Sequence, residues 1–99
     1  MIEVEKKDWK NEGRVEYFIK GTRILHREDG PAIELSDGRR EWFINGKLHR
    51  EDGPAVIYWH GFKEWYLNGR YFSTKERWFD ALSEEQKMKA VYSEHFIGG

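Results

Sequence analysis

The octapeptide Leu-His-Arg-Glu-Asp-Gly-Pro-Ala occurs twice in this chain, from Leu25 to Ala32 and from Leu48 to Ala55, with its two histidines 23 residues apart. The same step separates Gly38 from Gly61, Trp42 from Trp65 and Gly46 from Gly69, so the repeating unit is larger than the octapeptide. A fixed period of this length marks a stack of like units, each too small to bury its apolar face alone and each completed by its neighbours. Any fold for this chain has to be built from that unit.

Three copies of the pattern Gly-x-x-Glu-aromatic-aromatic-Ile/Leu-x-Gly run from Gly13 to Gly21, Gly38 to Gly46 and Gly61 to Gly69. Each reads as a strand held between two turns. Asp37-Gly38, Asn45-Gly46 and Asn68-Gly69 are dipeptides that accept the positive φ of a type I′ hairpin, which makes the strands antiparallel neighbours. A two-residue turn at Asp37-Gly38 pairs Leu35 with Arg40 and Ile33 with Trp42; the same count pairs Tyr58 with Lys63 and Val56 with Trp65. Side chains alternate along a strand, so this register puts Ile33, Leu35, Trp42, Ile44, Val56, Tyr58, Trp65 and Leu67 on one face, the expected core. The other face then carries Glu34, Arg39, Glu41 and Phe43 in one unit, and Ile57, Trp59, Phe62, Glu64 and Tyr66 in the next.

Between hairpins, Asp29-Gly30 and Asp52-Gly53 supply a turn, and Pro31 and Pro54, lacking a backbone donor, belong at a strand's first residue or on an edge. The first unit carries two extra residues, Thr22 and Arg23, and a weakly patterned upstream partner over Ile2 to Lys6, as terminal repeats do. Past Arg70 the period changes. Ser73-Thr74-Lys75-Glu76 and Ser83-Glu84-Glu85-Gln86 each fit the capping box that opens a helix. Trp78, Ala81 and Leu82, then Met88, Val91 and Tyr92, supply apolar stripes at helical spacing. The expected fold is mainly β: an antiparallel meander of hairpin repeats over residues 1–72, in units of about 9–32, 33–55 and 56–72, then a helical cap over 73–95 made of a pair of short α-helices. The cap covers a sheet end that would otherwise invite aggregation, and Phe96 to Gly99 fray.

At 99 residues the chain is one domain and can bury only a modest share of its surface. Its 16% aromatic residues must therefore supply the core, against 35% charged residues outside it. The 17 Lys and Arg are interleaved with 18 Asp and Glu, so no overall field draws the chain to nucleic acid or membrane. Without cysteine there is no disulfide, thiolate ligand or thiolate nucleophile. No apolar run approaches a membrane span, and Met1 to Glu5 lacks the basic and apolar regions of a signal peptide, which points to the cytoplasm.

The unit Gly-x-x-Glu-Trp-Tyr-Leu-Asn-Gly at Gly61 to Gly69, with its 23-residue period and second glycine turn, resembles a MORN-type repeat, the hairpin repeat named for membrane occupation and recognition. It is more similar to the MORN-like variant of bacterial proteins described as antitoxin components and of small phage proteins, in which Trp-Tyr-x-Asn-Gly-Lys-x-His-Arg-x-Asp-Gly-Pro-Ala recurs. Glu41 to Ala55 follows that pattern nearly throughout, and the resemblance spans about Gly13 to Arg70. His-Arg-Glu-Asp-Gly-Pro departs from the plainer Gly-rich turn of ordinary MORN repeats and speaks against lipid binding. The resemblance implies an elongated β-meander that binds other macromolecules; it assigns no catalytic residue.

His26, Glu28 and Asp29, with His49, Glu51 and Asp52, are residue types of a metal site. A metal needs three or four convergent ligands, and strand spacing holds the two groups about 10 Å apart. Their turn context favours structural roles, Asp initiating the turn and His bonding to backbone or packing on a ring. Glu16, Glu41 and Glu64 recur in one environment, whereas acid–base chemistry needs environments that separate pKa values; cross-strand pairing with Arg39 or Lys63 accounts for them. No catalytic residue, metal or cofactor is assigned, and the chain is expected not to be an enzyme. Trp42 and Trp65 belong to the core.

Phe43, Trp59, Phe62 and Tyr66, with Arg39 and Arg50, are the expected partner-binding residues, because aromatic and arginine side chains on a half-exposed face are those enriched at hot spots. The competing arrangement folds the helices over that face. Arg27, Arg40, Lys63 and Arg70 could join the rings in a groove for single-stranded nucleic acid, which the interleaved acids oppose. The expected function is thus a small protein-binding module. By the resemblance, it is a phage or mobile-element accessory protein that binds a host or bacterial protein and inhibits or modulates it, in an anti-defence or antitoxin-like role. The alternative is a ligand-sequestering or nucleotide-binding protein acting across a homo-oligomer interface. A metal-dependent enzyme using the His-x-Glu-Asp groups comes third.

Overall fold

The computed structural model describes residues 2–93. Its strands are β1 (Val4–Trp9), β2 (Arg14–Ile19), β3 (Ile33–Leu35), β4 (Arg40–Glu41), β5 (Phe43–Ile44), β6 (Lys47–Leu48), β7 (Val56–Ile57), β8 (Lys63–Leu67) and β9 (Arg70–Phe72); α1 (Lys75–Asp80) and α2 (Glu84–Val91) follow. Every strand pairing is antiparallel, in a seven-stranded sheet ordered β1-β2-β3-β4-β7-β8-β9 and a hairpin β5-β6. The fold is a mainly β antiparallel meander with two short C-terminal helices.

The repeat is visible in the backbone bonds. Trp42 N–H donates to Ala55 O as Tyr17 N–H does to Ala32 O, and His49 N–H donates to Trp42 O as His26 N–H does to Tyr17 O. Ala55 N–H donates to Glu64 O as Ala32 N–H does to Glu41 O, and Gly69 N–H to Leu48 O as Gly46 N–H does to Leu25 O. Each His-to-Ala segment is therefore bonded to the strands on both sides while its centre loops out, which satisfies donors that a free loop would orphan.

Asn45-Gly46 and Asn68-Gly69 form the expected two-residue turns, with φ of 50° and 79° in one and 50° and 83° in the other, pairing Ile44 with Lys47 and Leu67 with Arg70. Asp37-Gly38 does not. Leu35 N–H donates to Arg39 O and Gly38 N–H to Leu35 O, closing a three-residue loop in which Gly38 has φ 98°. Trp59-His60-Gly61 closes identically, with Gly61 at 91°. A three-residue hairpin ending in a left-handed glycine shifts the pairing by one residue, so Ile33 faces Glu41 and Val56 faces Glu64.

That shift corrects the expected faces, since a one-residue slip turns a strand's side chains over. Ile33, Leu35, Val56 and Tyr58 share a face with Arg39, Glu41, Phe43, Phe62, Glu64 and Tyr66. Trp42, Ile44, Trp65 and Leu67 lie on the other face with Glu34 and Ile57. The His-to-Ala loops and the helices pack on this second side, called here the loop face; the first is the open face.

The helices sit at one end of the loop face, where Phe72, Trp78, Leu82 and Ala90 form a buried cluster with Trp65, Leu67 and Phe79 against it. The Trp78 ring lies 4.7 Å from that of Trp65, and its Nε1–H donates to Arg50 O at 3.0 Å. α1 is capped by Thr74, whose side chain accepts from Arg77 N–H, one residue past the expected Ser73. α2 opens with the expected box of Ser83 and Gln86. The last two residues of the expected cap, and the fraying expected of Phe96 to Gly99, lie outside the described residues. No helix among the described residues is long and apolar enough to cross a membrane.

Candidate interaction surface

The octapeptide builds the loop face. The Arg27 guanidinium lies 4.0 Å from the Tyr17 ring centroid, with Nε donating to Asp29 Oδ1 at 3.0 Å and Nη1 to Pro31 O at 3.1 Å. Arg50 repeats this over Trp42 at 3.8 Å, bonded to Asp52 at 2.8 Å and Pro54 O at 3.1 Å. A planar, five-donor guanidinium can stack on a ring and close a loop at once, which a lysine cannot. The loop's glycine makes room: a Cβ at Gly30 would fall 2.9 Å from Arg27 Cζ.

The histidines join one unit to the next. His26 Nδ1 accepts the Asn45 N–H and His49 Nδ1 the Asn68 N–H, both at 2.9 Å. A backbone N–H can only donate, so each ring carries its proton on Nε2. In His49 that proton reaches Glu51 at 2.7 Å; in His26 the nearest carboxylate oxygen, on Glu28, is 3.8 Å away. Both nitrogens of His49 are thus occupied. No group of three or more His, Cys, Asp or Glu among the described residues could hold a metal ion. Between the two loops lies a cleft of about 600 Å³ walled by Arg27, Arg50 and four carboxylates, with Trp42 among its lining residues.

The open face gathers Phe43, Phe62, Tyr66 and Arg39, as expected of them, and adds Tyr58, Glu64 and Tyr71. Tyr58 O–H donates to Glu64 Oε1 at 3.1 Å, and the Tyr66 hydroxyl approaches the same oxygen at 3.5 Å. Tyr66 and Tyr71 meet edge to face at 5.5 Å. Arg39 lies 5.0 Å over Tyr58, and its Nε is 2.8 Å from Glu41 Oε2, a charge pair whose N–H vector misses the oxygen. Glu41 is therefore paired along its own strand, and Glu64 with tyrosines; Lys63 points to the loop face, which corrects the cross-strand pairing expected of it. Trp59 stands at the hairpin tip, 66% exposed, beside Phe62 at 58%. Arg50 separates from this set. It lies on the loop face with its side chain 12% exposed.

Burial raises the Tyr58 and Tyr66 hydroxyls above their ordinary value of 10.0, and the neighbouring Glu64 carboxylate pushes both the same way. The folded protein then holds protons that the unfolded chain releases above pH 10, so this contribution to stability is complete below pH 10 and is lost as pH rises through the elevated values. A near-ultraviolet tyrosinate titration should show Tyr58 and Tyr66 ionising above pH 10, and Glu64→Gln should lower both. An unchanged titration in Glu64→Gln would show that the carboxylate does not act on these hydroxyls.

No protein-family model, curated protein or solved structure matches this chain. Tyr58 falls on this face, and not on the expected core face, because Asp37-Gly38 and His60-Gly61 each end a three-residue loop. The second copy offered the discriminating signal, since His60-Gly61 occupies the same place and histidine is not a residue that type I′ turns favour.

Proposed function

We propose that the protein is a small protein-binding repeat module that uses its open face and the adjoining hairpin tip. The observation that carries this reading is that the helices pack at the Trp65 end of the loop face, so that no described element covers the aromatic open face, where Phe43, Tyr58 and Tyr66 are half-buried and Tyr71 is exposed. Large rings braced by hydroxyl–carboxylate bonds and by an arginine form the side-chain set of binding hot spots. Resemblance to MORN-like phage and antitoxin-component proteins supports a host or bacterial protein as the partner and an accessory role that inhibits or modulates it. In the test, tagged full-length chain is expressed in a bacterial host and captured under native conditions. A stoichiometric protein is expected, with Phe43→Ala and Tyr66→Ala each weakening its binding at least tenfold, about 1.4 kcal/mol. Recovery of a nucleotide and no protein would transfer the assignment to a ligand-sequestering protein.

A further inference from the structure

The two edges of the sheet are built differently. β9 is three residues long and leads through Ser73 and Thr74 into α1. β1 is six residues long, holds no proline, and is exposed from Val4 to Asp8. No described strand pairs with its outer side. The direction of its free backbone groups follows from β2. Tyr17 N–H and Ile19 N–H bond away from β1, to Ala32 O and Ile24 O, so the even-numbered residues of β2 bond toward it, as Lys20 N–H beyond them does to Glu3 O. In the β1–β2 register those residues face odd-numbered ones, Glu16 opposite Lys7 and Phe18 opposite Glu5. The N–H and C=O groups of Val4, Lys6 and Asp8 therefore point out of the sheet, a row that templates a further strand.

We propose that this edge pairs with β1 of a second copy, antiparallel and centred on Lys6, joining two seven-stranded sheets into one. The inference stands independently of the protein-binding reading. Only outward-pointing residues can exchange bonds, so a two-fold pairing with long overlap has its axis at Glu5, Lys6 or Lys7. An axis at Glu5 or Lys7 sets like charges at a close, non-hydrogen-bonded pair, about 4.5 Å between Cα atoms. The Glu5 axis also turns Glu3 to the second copy's Lys7, although Glu3 already pairs with Lys20 at 3.4 Å. The Lys6 axis moves its like pair to a wider, hydrogen-bonded position, about 5.5 Å, with Asp8 of both copies on the same face beside the two ammonium groups. At the close positions it sets Glu5 of each copy opposite Lys7 of the other. Within its own sheet Glu5 faces the Phe18 ring, so the second copy supplies the cation opposite it, and Lys7 comes to lie between Glu16 and the incoming Glu5. This axis also exchanges bonds along the most of β1, Val4 with Asp8 and Lys6 with Lys6. Charges ordinarily blunt an edge by repelling what approaches; in this strand their order admits one partner, itself, in one register. Glu5 and Lys7 share the open face with Glu16 and Phe18, so the open faces of the two copies become continuous.

Sedimentation velocity of the full chain, over a series reaching about 1 mM because the contact is at the small end of specific interfaces, is expected to show a reversible monomer–dimer equilibrium. Amide exchange followed by NMR should slow at Val4, Lys6 and Asp8 as concentration rises, and stay constant at Glu5 and Lys7, which already bond to β2. Lys6→Pro removes an outward donor and no bond to β2, so it should weaken dimerisation at least about tenfold while thermal unfolding of the dilute chain stays near that of wild type. Glu5→Lys and Lys7→Glu should each weaken it about tenfold, and an equimolar mixture of those two variants should dimerise like wild type, because each copy then meets the opposite charge at both positions. A wild type that stays monomeric across the series overturns the proposal. So does protection of Val4, Lys6 and Asp8 that is independent of concentration, which would give the edge to a segment of the same chain. A dimer that survives Lys6→Pro, or a mixture that fails to recover, puts the contact on another surface or in another register and overturns it as well.

Discussion

Trp78→Ala is expected to lower the unfolding free energy by about 4 kcal/mol, within the range for truncating a buried large aromatic side chain. The side chain is 1% exposed and reaches the sheet in two ways, through its tilted ring contact with Trp65 and its indole N–H to Arg50 O. Its place in the repeat explains why so much depends on it. Tyr17 and Trp42 are covered by Arg27 and Arg50 from the octapeptide that follows each of them, but no third octapeptide follows Trp65. Trp78 takes that position. It also supplies the anchor for Phe72, Leu82 and Ala90, so its loss should free both helices together. Trp78→Phe keeps a ring over Trp65 and leaves Arg50 O without its indole donor, and should cost only about 1–2 kcal/mol. Urea unfolding followed by circular dichroism measures both variants, and hydrogen exchange shows whether the helix amides lose protection before those of the sheet. An alanine variant within 1 kcal/mol of wild type would mean that Trp78 does not hold the cap on the sheet.

Most local signals in the sequence survived intact, the cap of α1 shifting by one residue to Thr74. The 23-residue step, the Asn-Gly turns and the Ser83 capping box each depend on a few adjacent residues, and each appears where its pattern puts it. What the sequence concealed was decided by bonds between distant residues or by a one-residue count. Asp-Gly serves a two-residue turn and the end of a three-residue loop equally well, and the choice moved Tyr58 from the expected core to the open face. Arg50 carried an interface signal by composition, yet its guanidinium is committed to Asp52 and Pro54 O within its own loop and to the Trp42 ring. Trp78 read as one position in a helical stripe; its role at the end of the repeat depends on Trp65, Arg50 and the absence of another octapeptide. The site is legible where it uses strand alternation and obscure where it uses the loop that sets the register.

His26→Ala should cost about 3 kcal/mol, and His49→Ala somewhat less because its ring is nearer the surface. His26 is 1% exposed, and alanine there removes a packed ring and leaves the Asn45 N–H without its acceptor. Thermal or urea unfolding of the single variants and of the double variant reads this directly; a chain this small has a stability of only about 5–15 kcal/mol to lose. Conservative variants separate a bond from a mere volume. Asparagine can present its carbonyl oxygen near where Nδ1 stood and accept the Asn45 N–H, whereas glutamine places its amide near the Nε2 position and cannot. His26→Asn should therefore recover a good part of what alanine loses, and His26→Gln should not. Equal instability in Asn, Gln and Ala would remove the hydrogen bond from the account. A chelator that lowered the melting temperature of wild type but not of His26→Asn would restore a metal role. With the bond retained, the residues that look most chemical in this sequence act as couplers: each histidine fixes the Asn-Gly turn of the following unit, and each arginine closes its own loop over the preceding ring. The octapeptide is thereby committed to holding neighbouring units in register.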